Sequence, residues 1–158
     1  MGDSPNHELE NHVLVLGTSE LTEIIVEELE SQAQFLIVSQ GGPDSIELER
    51  DYEVLEGDPG SRETLERAGI YDAAAAIVAA DSDSQDAMSI LTAKKLNPSI
   101  RIAAAATNKE NISKLKRAGA DVVISPSMLG GQLMVRSSLT GETTEELTGE
   151  LFSDSEQP

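Results

Sequence analysis

Six short apolar runs, alternating with stretches whose apolar residues recur at helical spacing, constrain this 158-residue chain more than any single motif does. His12-Val13-Leu14-Val15-Leu16 is ended by Gly17, as suits a parallel strand buried on both faces. The period then changes: Leu21, Ile24, Ile25 and Leu29 form the stripe of an amphipathic helix from about Glu20 to Ser31. Phe35 to Val38 reads as a second strand, stopped by Gly41-Gly42-Pro43-Asp44, and Ser45 to Asp51 as a short helix. A third strand, Tyr52 to Leu55, stops at Gly57-Asp58-Pro59-Gly60, and the helix from Arg62 to Ala68 ends on Gly69, where glycine tolerates the left-handed conformation. Ala73 to Ala80 is the most buried strand by pattern, and Ser82 with Gln85 forms a capping box for a helix running to Leu96 before Asn97-Pro98. Ile100 to Ala106 is a fifth strand whose small residues allow a helix or ligand to come close. Thr107 and Glu110 read as a second capping box, opening a helix with Ile112, Leu115 and Ala118 on one face and Gly119 after its end. Asp121 to Ile124 is a sixth strand, and Pro126 starts a last helix to about Leu139.

Such alternation implies an α/β fold, a Rossmann-type doubly wound parallel sheet of about six strands in a single domain, residues 12–140. Polar acidic segments at 1–11 and 141–158 read as disordered tails. Ligands of these sheets bind outside the carboxyl ends of the strands, which nominates the loops Gly17 to Thr22, Ser39-Gln40, Gly57 to Gly60 and Ala79 to Ser82.

Charge narrows the partners. Acids number 29 against 11 bases, a net −18 that disfavours nucleic acid and anionic membrane surfaces. The two tails hold nine of those acids and no base, yet the stretch from His12 to Leu139 still carries −9. Self-repulsion of that size suits a salt-loving cytoplasm, where ions screen it. Without cysteine, disulfides, thiolate nucleophiles and Cys-ligated zinc are ruled out. No signal-peptide pattern is present, and no apolar run approaches the roughly 20 residues of a membrane span, so a cytoplasmic protein without membrane insertion is expected.

At the first strand-to-helix turn the three glycine positions of a dinucleotide fingerprint read Gly17, Ser19 and Thr22. Ser19 puts a Cβ where backbone should meet phosphate, Thr22 holds the helix away from the strand, and Glu20 repels an incoming phosphate. A plain turn with Ser19 as N-cap therefore stands beside the binding reading. Gln40 occupies the usual ribose-binding acid position and can hydrogen-bond hydroxyls without charge.

Taken together, the segments resemble the RCK family, also called TrkA-N, regulators of potassium conductance. The resemblance is carried by His12 to Glu20, Gly57-Asp58-Pro59, Leu65 to Ala68, Ala76-Ile77-Val78 with Asp81 to Ser84, Arg101 to Ala104, Glu110-Asn111, and most specifically Ala118 to Pro126 (AGADVVISP). It implies a ligand-sensing domain that forms a homodimer or higher ring and regulates the membrane subunit of a potassium channel or transporter. It also implies an adenine nucleotide (AMP, ADP or ATP) or NAD, held by Gly17, Thr18, Ser19, Glu20, Leu21, Gln40, Gly57 and Asp58. Calcium-gated members carry acids near the ends of the fourth and fifth strands, where this chain has Ala79, Ala105 and Thr107, so no metal is expected. Asp81 and Asp83 read as capping and solvated residues. A complete RCK unit has a second lobe after the last helix, so the expectation is a single lobe, free-standing or cut from a longer polypeptide.

An oxidoreductase of this fold needs an acid or base near the nicotinamide. His7 and His12 lie at the front of the chain, and neither Tyr52 nor Tyr71 has a lysine four residues on. The expectation is a non-enzyme, with a structural dimer that has lost ligand binding, or an NAD(P)-dependent oxidoreductase, as the alternatives.

Overall fold

The computed structural model describes residues 9–147 and Gly149. Most of the two acidic tails, including His7, falls outside the described residues. The chain divides into two compact units, one ending at Ile124 and one beginning at Ser125.

The first unit is a parallel sheet of six strands: β1 (Val13–Leu16), β2 (Phe35–Ser39), β3 (Val54–Glu56), β4 (Ala75–Val78), β5 (Arg101–Ala105) and β6 (Val122–Ile124). Their order is β3-β2-β1-β4-β5-β6, with Val15 paired to Ile37 on one side and Ile77 on the other. The α/β doubly wound expectation is met. Helices α1 (Thr22–Leu29), α2 (Arg62–Arg67), α3 (Asp83–Leu96) and α4 (Ile112–Ala118) connect the strands.

Alternation within the strands sorts the core into two faces. Leu14, Leu16, Val78 and Ile102 face a large cluster that includes Leu65 of α2, Ile90 of α3 and Leu115 of α4. Val15 and Ile37 face a smaller one with Val26 of α1. Each of these aliphatic side chains is essentially without solvent contact, worth about 1.5–3 kcal/mol apiece against exposure.

Three local expectations change. The buried face of α1 is Thr22 and Val26, flanked by Ile25 and Leu29, while Ile24 is 62% exposed. The helical turn expected within Ser45 to Asp51 lies earlier, as a 3-10 turn at Gly42–Ser45 with Pro43 in its first turn, where a fixed φ suits helix entry. Thr107 and Glu110 do not form a capping box. Instead Asp83 accepts from the Thr107 amide at 3.0 Å, its hydroxyl at 3.0 Å, the Asn108 amide at 3.3 Å and the Asn111 side chain at 2.9 Å. α4 is preceded by a 3-10 turn, Lys109–Asn111, with no side-chain cap.

At the front of the chain, Leu9 packs on the larger core cluster and the Asn11 amide donates to the Asp72 carbonyl at 2.8 Å. The buried His12 ring, just before β1, donates from Nε2 to the Ala68 carbonyl at 2.9 Å.

The second unit contains α5 (Pro126–Thr140), whose N-cap Ser125 accepts from the Met128 amide. No residue of α5 is buried, and Met134, Val135 and Leu139 are 74%, 59% and 80% exposed. Beyond it, within the stretch read as a tail, Thr143 and Glu146 cap a helical turn reciprocally: the Thr143 amide donates to Glu146 Oε1 and the Glu146 amide to Thr143 Oγ1. Among the described residues no helix is long and apolar enough to cross a membrane.

Candidate functional site

The strand order sets the site. β1 sits between β2 and β4, so the connections leaving β1 and β4 diverge and open a crevice at their carboxyl ends. A cleft of about 220 Å³ occupies it. Gly17 and Thr18 after β1, Gln40 and Gly41 after β2, Asp58 and Pro59 after β3, and Ala80 and Asp81 after β4 form its walls. Its other contributors are Ser39 and Ser45 beside the second loop, and Gln85, Asp86 and Ser89 from α3.

Gly17 is required by packing. Its φ is +85°, and a Cβ there would stand 2.6 Å from the Ala80 Cβ, so only glycine lets the β1 and β4 loops close on each other. The turn after it is satisfied internally. The Ser19 amide donates to the hydroxyl of buried Thr22 at 2.8 Å, and the Leu21 amide donates to the Ser19 hydroxyl at 3.2 Å. Thr22 thus sits in the core and caps an amide that a glycine-rich turn would leave free for phosphate.

Of the eight residues expected at the site, Gly17, Thr18, Gln40 and Asp58 line the cleft. Ser19, Glu20, Leu21 and Gly57 do not line it. Gly57 instead packs under α2, where a Cβ would fall 2.6 Å from Thr64 Oγ1. Asp58 holds its own loop, accepting from the Gly60 amide at 2.9 Å while remaining exposed. On the second loop, Ser39 donates to Ser45 Oγ at 2.7 Å, and Ser45 in turn to the Gly42 carbonyl at 2.6 Å.

Asp86 was not anticipated. It is 1% exposed, its Oδ1 accepts from the Ala80 amide at 3.2 Å, and its Oδ2 is buried without a hydrogen-bond partner. Burial, with smaller contributions from the charges of Asp83 and Asp81, raises its pKa to about 7. A signal was present in the sequence, since Asp86 stands four residues before Ile90 and seven before Ala93, and Asp83 seven before Ile90, all on the same inward face of α3. Asp83 behaves oppositely: burial pushes its pKa up, but the bonds from Thr107, Asn111 and Asn108 outweigh that and hold it below the usual carboxylate range. It ties α3 to the loop after β5, a role beyond capping and solvation. Asp81 is exposed at the cleft mouth.

No histidine or tyrosine lines the cleft. His12 precedes β1 and so lies at the opposite end of the strand, and the Tyr52 and Tyr71 hydroxyls donate to Glu30 and Glu66. The three closely grouped carboxylates among the described residues, Glu23, Glu27 and Glu49, lie outside the cleft.

The chain is 30% identical over 141 residues to potassium channel protein 1 of Methanocaldococcus jannaschii, covering 87% of this chain and 42% of that protein. It thus spans less than half the length of the curated relatives it matches. Among solved structures, the TrkA-N domain of the inner membrane protein YbaL from Escherichia coli superimposes with a TM-score of 0.74 at 20% identity, covering 82% of this chain and 98% of that one. The Kef C-terminal domain of Shewanella denitrificans in AMP-bound form gives 0.69 at 23% identity, covering 91% of each chain. GsuK bound to ADP gives 0.66 at 24% identity over 75% of this chain and 32% of that one. The TrkA-N domain model matches residues 13–126, from the first residue of β1 to the first of α5, and the chain belongs to the TrkA-N domain family.

Proposed function

We propose that this domain is a cytoplasmic nucleotide-sensing regulator of a potassium channel or transporter, binding an adenine nucleotide or NAD in the cleft without turnover. The observation that carries the reading is the cleft itself, at the switch point of the sheet and lined by Gly17, Thr18, Gln40 and Asp58. The AMP-bound Kef domain and ADP-bound GsuK, which share the fold, support the choice of ligand. The absence of turnover is supported by the lining, which offers hydroxyls, amides and carboxylates but no nucleophile held by a base and an orienting third group.

Thermal melting with AMP tests this. A hundredfold excess over Kd stabilises the fold by about 2.7 kcal/mol. Asp58→Ala and Gln40→Ala are expected to diminish that shift, whereas a full shift in both variants places the ligand elsewhere. Steady oxidation of NADH with simple carbonyl substrates contradicts the non-enzymatic reading.

The domain acts as a homodimer or higher ring in this reading. Support comes from α5, where Met128, Leu129, Met134, Val135 and Leu139 are all between 39% and 80% exposed, an apolar surface suited to a second subunit. Light scattering is expected to give twice the chain mass, and Met134→Asp to give monomer; a wild-type monomer at tens of micromolar contradicts it. A salt-loving origin belongs to the same proposal and rests on the net charge of −18.

A further inference from the structure

The chain's 11 lysines and arginines all lie between residues 50 and 136, and none of them lines the cleft. Its ionisable lining consists of Asp58, Asp81 and Asp86. Exposed Glu20 adds a further carboxylate in the turn after Gly17. A phosphate chain entering here meets carboxylates with no cation to pair with. The usual compensation, a free amide at the second position of the glycine-rich turn, is also reduced, because Thr22 Oγ1 takes the Ser19 N–H at 2.8 Å. Conversely, the cleft is rich in groups that accept hydrogen bonds from an uncharged ligand. The buried Asp86 Oδ2 has no partner, and a ligand hydroxyl can pair with it in either protonation state, accepting from the acid or donating to the carboxylate. Gln40 and Gln85 offer amides, and Thr18 and Ser89 hydroxyls, with no net charge.

Resting on the nucleotide-sensing reading above, we infer that this cleft recognises the nucleoside portion of its ligand and discriminates against phosphate. Adenosine and AMP are its ligands, and ADP and ATP enter only poorly unless a divalent cation travels with them. The discrimination is electrostatic: each added phosphate brings about one to two negative charges toward fixed carboxylates in a partly desolvated cleft, where salt screens them less than in open water.

Isothermal titration with adenosine, AMP, ADP and ATP in EDTA, at the lowest KCl concentration that preserves the far-UV dichroism, tests it. Affinity is expected to fall at least fivefold for each phosphate beyond the first, and excess magnesium to restore part of the ATP affinity. The double variant Glu20→Gln, Asp81→Asn removes two of the carboxylates and is expected to raise the affinity for metal-free ATP relative to that for adenosine at least fivefold. Metal-free ATP binding as tightly as adenosine overturns the inference and leaves the nucleotide-sensing reading intact, as does a double variant with no gain for ATP. Binding of none of the four compounds overturns the inference, and failure of NAD to bind as well overturns the nucleotide-sensing reading.

Discussion

Gly17 and Asp86 line one cleft, and their sequence context reveals them very unequally. Gly17 stands out because a glycine ending the first strand is the start of a fingerprint, but the structure gives it a second reason, the 2.6 Å approach to Ala80 that a Cβ would make. Gly17→Ala forces a left-handed φ on alanine and overpacks the loop, with an expected loss of about 2–4 kcal/mol in urea unfolding. A loss below about 1 kcal/mol would show that the loops separate freely. Asp86 hides because a carboxylate in the first turn of a helix is ordinarily solvated and favourable to the helix dipole, and only tertiary packing buries it. Its consequence is a pH dependence. With a folded pKa of about 7, Asp86 stays protonated in the native state between about pH 4 and 7, while the unfolded chain loses that proton. Its contribution is therefore fully present below about pH 4 and fades as pH rises to 7, by up to about 1.4 kcal/mol per unit. Asp86→Asn is expected to remove that slope and to leave the variant more stable than wild type at pH 8 by roughly 2–4 kcal/mol. Equal stabilities at pH 8 contradict the buried, proton-holding carboxyl.

Elements were more legible than their ends and caps. All six strands were visible as apolar runs because a parallel sheet covered on both faces needs continuous apolar sequence, though the runs overstated β4 by including Ala73, Ala74, Ala79 and Ala80. Alanine satisfies strand and loop equally, so pattern alone cannot trim it. The phase of α1 is hidden in the sequence because Ile24 is apolar and Thr22 is not, yet Thr22 is the buried one, its hydroxyl accepting from the Ser19 amide. Thr107 likewise fits a capping motif in sequence, but Asp83, 24 residues earlier, reaches it first. That bridge from α3 to the loop before α4 predicts that Asp83→Ala loses about 1–3 kcal/mol, since it removes the charged acceptor shared by the Thr107, Asn108 and Asn111 donors. Amide exchange should accelerate at Thr107 and Asn108 before the rest of the sheet. Because the folded pKa of Asp83 is depressed, its contribution is present above about pH 4 and lost as pH falls through the folded value. Unchanged exchange in this loop would show that other contacts hold it.

At the scale of the whole molecule, the alternation of strands and helices was enough to give a parallel six-stranded sheet, and the order and spacing of the matching segments, AGADVVISP the most specific of them, the family. The binding end of the sheet was also legible, because strand order fixes where loops diverge. Which loop residues line the cleft was not, since Glu20, Leu21 and Gly57 differ from Gly17 and Asp58 only in how the turns orient them. Net charge remains a property of the molecule as a whole. With −18 on 158 residues and Glu23, Glu27 and Glu49 grouped within 4.8 Å, far-UV dichroism is expected to gain native signal from low to multimolar KCl. Full native signal at low ionic strength removes the salt-loving reading. The most direct test of the account is a map of amide chemical shifts during titration with AMP. The account predicts saturable shifts confined to Gly17, Thr18, Gln40, Gly41, Asp58 and the first turns of α3, with α5 unmoved. Saturable shifts clustered outside that cleft, or none at millimolar AMP, would contradict it.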